Sequence, residues 1–220
     1  MSRIIVPVCF AFACLTPALA WAHPHVWIDM RSSVNFNDKG AVDAIGVAWT
    51  FDEFYSQFAT DGLDKNKNGT LDPAELQDLA DTYAKNLREY QYFTFIQADG
   101  KAAQTGVPTN AKAVFNKGRL TFAFRLPLKA IVDPAAIKLT YSSFDPTYYI
   151  DIAPVATNAV VFTGPAPKGC SFAMRKVDTT KPGALNLAQS VKMTTPVNDV
   201  LNATNATIVD ITCATAPKAK

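Results

Sequence analysis

The chain has 220 residues, 49% apolar and 18% charged, which is enough for an ordinary core and too apolar for a disordered chain. Its 21 Lys+Arg against 19 Asp+Glu leave a net charge of +2, so there is no basic excess to neutralise a phosphate backbone and nucleic acid is not an expected partner. Two histidines limit imidazole chemistry, and no apolar run beyond residue 22 is long enough to span a bilayer.

Residues 1–22 carry one charge, Arg3, then an apolar stretch from Ile4 to Leu15, then small residues. Ala18-Leu19-Ala20 and Ala20-Trp21-Ala22 both fit the small-x-small pattern of signal-peptide cleavage, so a secretory signal that is removed is expected, with the cut after Ala20 or after Ala22 left open. Removing the leader takes away Cys9 and Cys14 and leaves Cys170 and Cys213 as an even pair in an oxidising space. That pair is expected to be a disulfide.

After His23-Pro24-His25, the β-rich run Val26 to Phe36, the turn Asn37-Asp38-Lys39-Gly40 and the small and β-branched residues Ala41 to Trp49 read as a hairpin. Thr50 followed by Glu53 is a capping-box signature, and Phe51, Phe54, Tyr55 and Phe58 stand at helical spacing behind it. A second helix is expected from Pro73 to Tyr90, striped by Leu76, Leu79, Ala80, Tyr83 and Leu87. Tyr92 to Ile152 turns β again. Strands are expected at Tyr92–Ile96, Ala113–Phe115, Leu120–Phe124, Ile137–Tyr141 and Tyr148–Ile152, punctuated by Asp99-Gly100 and Asn116-Lys117-Gly118. Prolines and glycines break up the chain beyond Val155, and residues 214–220 read as a flexible tail.

Between the two helices lies Asp64-Lys65-Asn66-Lys67-Asn68-Gly69-Thr70-Leu71-Asp72-Pro73-Ala74-Glu75, which fills a twelve-residue EF-hand loop. Calcium is a hard cation that takes six to eight oxygens. Asp64, Asn66 and Asn68 supply side-chain oxygens at alternate positions, Thr70 a backbone carbonyl, Asp72 an oxygen through water, and Glu75 two carboxylate oxygens. Gly69 permits the sharp turn. Lys65 and Lys67 weaken the local negative field, which places the expected affinity at about 10⁻⁵ to 10⁻³ M, the range of extracellular modules. A lone loop of this kind suits a structural ion.

The histidines form a second candidate site. With cleavage after Ala22, the α-amine and imidazole of His23 make a chelate suited to copper, nickel or zinc, and His25 adds a third nitrogen. Pro24 has no amide N–H to lose, which blocks the square-planar mode that uses both preceding amides. Such a site needs a further ligand, for which Asp29, Asp52 and Asp145 are candidates. No Ser/His/Asp or Cys/His motif and no glycine-rich phosphate loop is present, so an enzyme is not expected.

Four stretches together carry a family likeness: Ala22-His23-Pro24-His25-Val26-Trp27-Ile28-Asp29, Trp49-Thr50-Phe51-Asp52-Glu53, the loop from Asp64 to Glu75, and Phe144-Asp145-Pro146-Thr147-Tyr148-Tyr149. In this order they resemble the bacterial family called domain of unknown function 1007, across residues 22–152. The family is described as periplasmic components of an uncharacterised ABC-type transport system, often encoded beside nickel, cobalt or related metal transporters. The resemblance implies export, a role near metal-ion transport, an inner-membrane transporter as partner, and a functional place for His23 and His25.

The sequence thus predicts one α+β domain over residues 23–213: an antiparallel β-sheet or sandwich with an EF-hand-like helix–loop–helix inserted at about 50–90. Its expected function is that of an exported periplasmic calcium-binding accessory in nickel-, cobalt- or zinc-type transport. The alternative is a calcium-stabilised protein-binding module of the cell envelope with inert histidines.

Overall fold

Alternation of buried and outward residues, broken once at Ala44-Ile45, sets the first two strands. β1 (Val26–Phe36) and β2 (Val42–Phe51) form the expected hairpin, with Met30 opposite Trp49 and Val34 opposite Ile45. The side-chain oxygen of Asn37 accepts from the amides of Lys39 and Ala41 and closes the turn. These strands belong to a computed structural model that describes residues 24–147, 149–177 and 206–214. Residues 1–23, on which the expected signal peptide and His23 fall, Tyr148, residues 178–205 and residues 215–220 lie outside the described residues.

The remaining strands are β3 (Thr94–Ala98), β4 (Lys101–Ala102), β5 (Thr109–Asn116), β6 (Arg119–Val132), β7 (Leu139–Ser143), β8 (Ile150–Pro154), β9 (Val160–Thr163), β10 (Ser171–Lys176) and β11 (Thr207–Thr212). One sheet runs β5-β6-β2-β1-β8, with β9 also paired to β1; the other runs β10-β11-β7-β3-β4. The second sheet is antiparallel throughout, but β8 and β9 lie parallel to β1, so the first sheet is mixed. Its inner face contributes Ile28, Met30, Val34, Ile45, Trp49, Phe122 and Leu126 to a core that also takes Leu139, Tyr141, Val209 and Ile211 from the second sheet. The Tyr141 hydroxyl meets Ser32 Oγ at 2.7 Å across that core. Burial pushes the Tyr141 hydroxyl up, and the Ser32 contact offsets only part of the rise, so it stays protonated as a hydrogen-bonding group.

The expected α+β fold with an inserted EF-hand-like helix–loop–helix is overturned. The molecule is mostly β, with eleven strands and two helices among the described residues, α1 (Glu53–Thr60) and α2 (Pro73–Asn86). The helices do not form a unit of their own. α1 packs on β6 through Ser56 and Thr60, flanked by the half-buried Tyr55 and Ala59, and α2 packs on β5 through its apolar stripe: Leu76 and Ala80 enter the main core, and Tyr83 meets Phe51 and Phe122 edge-on. Phe54 and Phe58, which stand at the expected helical spacing, are 81% and 76% exposed.

Two local expectations also change. Thr50 remains in β2, and Asp52 caps α1 by accepting from the Tyr55 amide at 2.9 Å. Tyr92 and Phe93 precede β3 in a left-handed turn, where Gln91, Tyr92 and Phe93 have φ of 51°, 54° and 44°. Left-handed backbone costs an ordinary residue about 1–2 kcal/mol. Burial of both rings, Phe93 against Trp49 and Tyr92 against Phe124, offsets that cost.

Candidate metal centre

The loop between α1 and α2 is tied to the core at both ends, by the half-buried Leu63 and Leu71. Between them the polar side chains turn onto the loop's own backbone. Asp64 accepts from the amides of Asn68 and Gly69 at 3.1 and 2.9 Å, and Asn66 Oδ1 accepts from Asn68 at 3.0 Å. Asn68 Oδ1 accepts from both the amide and the hydroxyl of Thr70. Gly69 takes φ of +81°, the left-handed geometry for which glycine was expected there.

Glu75 closes the loop. Its carboxylate is 8% exposed at the residue level, and Oε1 accepts from the amides of Lys65 and Asn66 at 2.9 and 3.2 Å. Oε2 accepts from the Asp72 amide, while Asp72 Oδ1 accepts from Ala74 and Glu75, a reciprocal capping box at the start of α2. Asp72 Oδ2 accepts from the side-chain Nδ2 of Asn66 at 3.4 Å. The last acidic residue is thereby folded back over the first residues of the loop. Every side chain at a ligand position is a hard oxygen donor, which is the chemistry a calcium ion takes. Among the described residues no three His, Cys, Asp or Glu side chains are gathered closely enough to hold a metal by themselves. The loop's three carboxylates share it with two carboxamides and a backbone carbonyl.

The histidine site is placed differently from its expectation. His23 lies outside the described residues. His25 is exposed at the start of β1, its ring 4.7 Å from that of Tyr149 and its amide donating to the Tyr149 carbonyl. None of the three aspartates considered as helpers is uncommitted. Asp29 pairs with Arg119 at 2.7 Å, and Asp52 accepts from the Trp27 amide as well as capping α1. Asp145 is buried and accepts from the amides of Thr147 and Ile150 and from the Thr147 hydroxyl.

The three stretches around His25, Asp52 and Asp145 nevertheless meet at one end of the first sheet. The Trp27 carbonyl takes the Asp52 amide on one side of β1, and Tyr149 leads into β8 on the other. Arg119 locks this end further by donating to the carbonyls of Thr50 and Phe51 as well as to Asp29. The sequence reading passed over Arg119. Its signal is the period of two in Arg119, Thr121, Ala123 and Arg125, which puts all four on the outward face of β6.

The sequence matches, over residues 8–213, the family described as "Protein of unknown function (DUF1007)". An "Uncharacterized 15.5 kDa protein in trpE 3'region" of Spirochaeta aurantia is 37% identical over 89 residues. That stretch is 40% of this chain and 63% of the relative, so less than two thirds of the relative's length is covered.

Proposed function

For a chain that belongs to this family of unknown function, we propose an exported calcium-binding protein in which the loop Asp64–Glu75 holds one Ca²⁺ as a structural ion, serving as an accessory in metal-ion transport. One observation carries the calcium reading: the Glu75 carboxylate reaches back to Lys65 and Asn66, so the two ends of a twelve-residue run of oxygen donors are already drawn together. The ion supplies a doubly charged centre to which Asp64, Asn66, Asn68, Asp72 and Glu75 can turn their oxygens. The transport role is supported by the order of the motifs in the chain, three of which meet at the start of β1. The Cys170–Cys213 disulfide is consistent with export.

Calcium at about 100 times its dissociation constant is expected to stabilise the fold by about 3 kcal/mol, raising Tm by about 5–10 °C. Thermal denaturation in 10 mM CaCl₂ (about 100 times the middle of the expected affinity range) and in chelator tests this. Glu75→Gln keeps an oxygen for the loop amides but loses the charge, and is expected to abolish the rise. Coincident melting curves of the unaltered protein in calcium and in chelator reject the calcium reading.

The transport reading has its own measurement. Protein purified from the periplasm is expected to carry copper, nickel or zinc in stoichiometric amount, and His23→Ala to lose it. Calcium alone, with no change in the variant, supports instead a calcium-stabilised protein-binding module with inert histidines.

A further inference from the structure

The outward face of the first sheet is open, and its residues fall into rows set by the strand register. One row runs Arg31 on β1, Ala48 on β2, Ala123 on β6 and Lys112 on β5. The next row places Ser33 opposite Gly46 and Gly46 opposite Arg125. The three small residues Gly46, Ala48 and Ala123 floor a depression of about 350 Å³, walled by Arg31, Lys112 and Arg125. A Cβ on Gly46 would meet Ser33 Oγ, which would have to turn aside to admit it.

Two of the three cations in this trough make no ion pair among the described residues. Among the strand arginines, Arg119, Arg125 and Arg175 each pair with an aspartate, whereas Arg31 has no carboxylate partner among the described residues. Lys112 likewise makes no ion pair there, and both side chains are exposed. Lys112 stands beside a register shift in β5 where Asn110 takes φ of +56°, a bulge that re-aims the strand at the rim of the trough. Three strand spacings separate Arg31 from Lys112, about 14 Å, and each side chain can reach inward over the alanines.

We propose that this trough is an anion-binding site for a small polycarboxylate, with one carboxylate held by the planar fork of Arg31 and a second by Lys112. Two separated cations match a ligand with two separated oxyanion groups better than a single compact anion. The forked donors of a guanidinium match the two oxygens of a carboxylate. The alanine floor lets the carbon backbone of the ligand lie close to the sheet. Arg125, held by Asp43 at 2.6 Å, is neutralised by that carboxylate and walls the trough without adding net charge, so among the described residues its two free cations are Arg31 and Lys112. The site is separate from the calcium loop and does not rest on it.

Titration calorimetry with tricarballylate and with inorganic phosphate, at fixed ionic strength, tests the assignment. Tricarballylate is expected to bind one to one at submillimolar concentration, and phosphate about tenfold more weakly because it cannot reach both cations. Arg31→Ala and Lys112→Ala are each expected to weaken tricarballylate about tenfold or more. Ala123→Leu, which leaves every charge in place and fills the floor, is expected to do the same. Lys117→Ala, in the exposed turn before β6, serves as the control and is expected to bind as the unaltered protein does. These side chains face outward, and unchanged circular dichroism and Tm confirm that each variant is folded. No heat with tricarballylate, phosphate binding as tight as tricarballylate, or binding that ignores Arg31, Lys112 and the floor each overturns the proposal.

Discussion

Removing the Cys170–Cys213 disulfide is expected to lower the stability of the protein by about 4 kcal/mol. The bond joins residues 43 apart in sequence, immediately before β10 and immediately after β11, where Ser171 lies opposite Thr212. Most of the stabilisation comes from the unfolded chain, whose freedom the closed loop restricts. The folded state also depends on it. All six residues of β10 are exposed, so this edge strand has little apolar burial to hold it, and its partners are β11's backbone, the Arg175–Asp210 ion pair and the disulfide. That ion pair is half exposed on the arginine side and contributes little by itself. Urea unfolding of the Cys170→Ala, Cys213→Ala double variant measures the loss. Reduction of the unaltered protein should reproduce it, and amide exchange in β10 should rise before that in β7. An unchanged midpoint and slope in the double variant contradict this account.

Asp145→Ala is expected to cost about 2–4 kcal/mol, because it strips the acceptor from two backbone amides and a hydroxyl in a part-buried loop. The consequence reaches the start of β1. Asp145 shapes the turn that delivers Tyr149 to the His25 ring and sets Ile150 opposite Val26, the first rung of the parallel pairing between β8 and β1. Asp145→Asn retains one oxygen for the Thr147 amide but turns a donor toward its neighbours, so a smaller loss, about 1 kcal/mol, is expected. Thermal denaturation gives the magnitude. The His25 ring resonances give the placement, because the nearby Tyr149 ring shifts them in the folded protein. If Asp145→Ala leaves both the melting temperature and the His25 resonances unchanged, Asp145 does not organise this end of the sheet.

Much of the secondary structure was legible because its causes are local. Alternation in Val26–Phe36, the Asn37–Gly40 turn and the alternating residues after it specify a hairpin without reference to the rest of the chain. Pro73, with Asp72 before it and Glu75 shortly after, marks the start of α2 for the same reason. The boundaries that were misread are those where a distant partner decides. Thr50 and Glu53 match a capping box by spacing, yet Thr50 is held in the ladder by Ile28 to Arg31 on one side and Thr121 on the other, which leaves Asp52 to cap the helix. Tyr92 and Phe93 have the composition of a strand, but burial of their rings against Trp49 and Phe124 favours a left-handed turn. Phe54 and Phe58 show helical spacing without burial, since the short α1 turns Ser56 and Thr60 toward the sheet instead.

The candidate sites divide along the same line. The sequence by itself determined the oxygen donors from Asp64 to Glu75 and the glycine at the sixth position of their loop, which rest on residue chemistry and short-range spacing, and the Cys170–Cys213 pairing, which rests on there being two cysteines beyond residue 22. The tertiary structure alone decided that the helices serve a mostly β scaffold, that His25, Asp52 and Asp145 meet at one end of β1, and that Arg31 and Lys112 share a row across four strands. The physical reason is that strand order follows from burying whole faces of two sheets at once. Residues up to 128 positions apart become neighbours only when that collective burial is satisfied, and no local pattern encodes it.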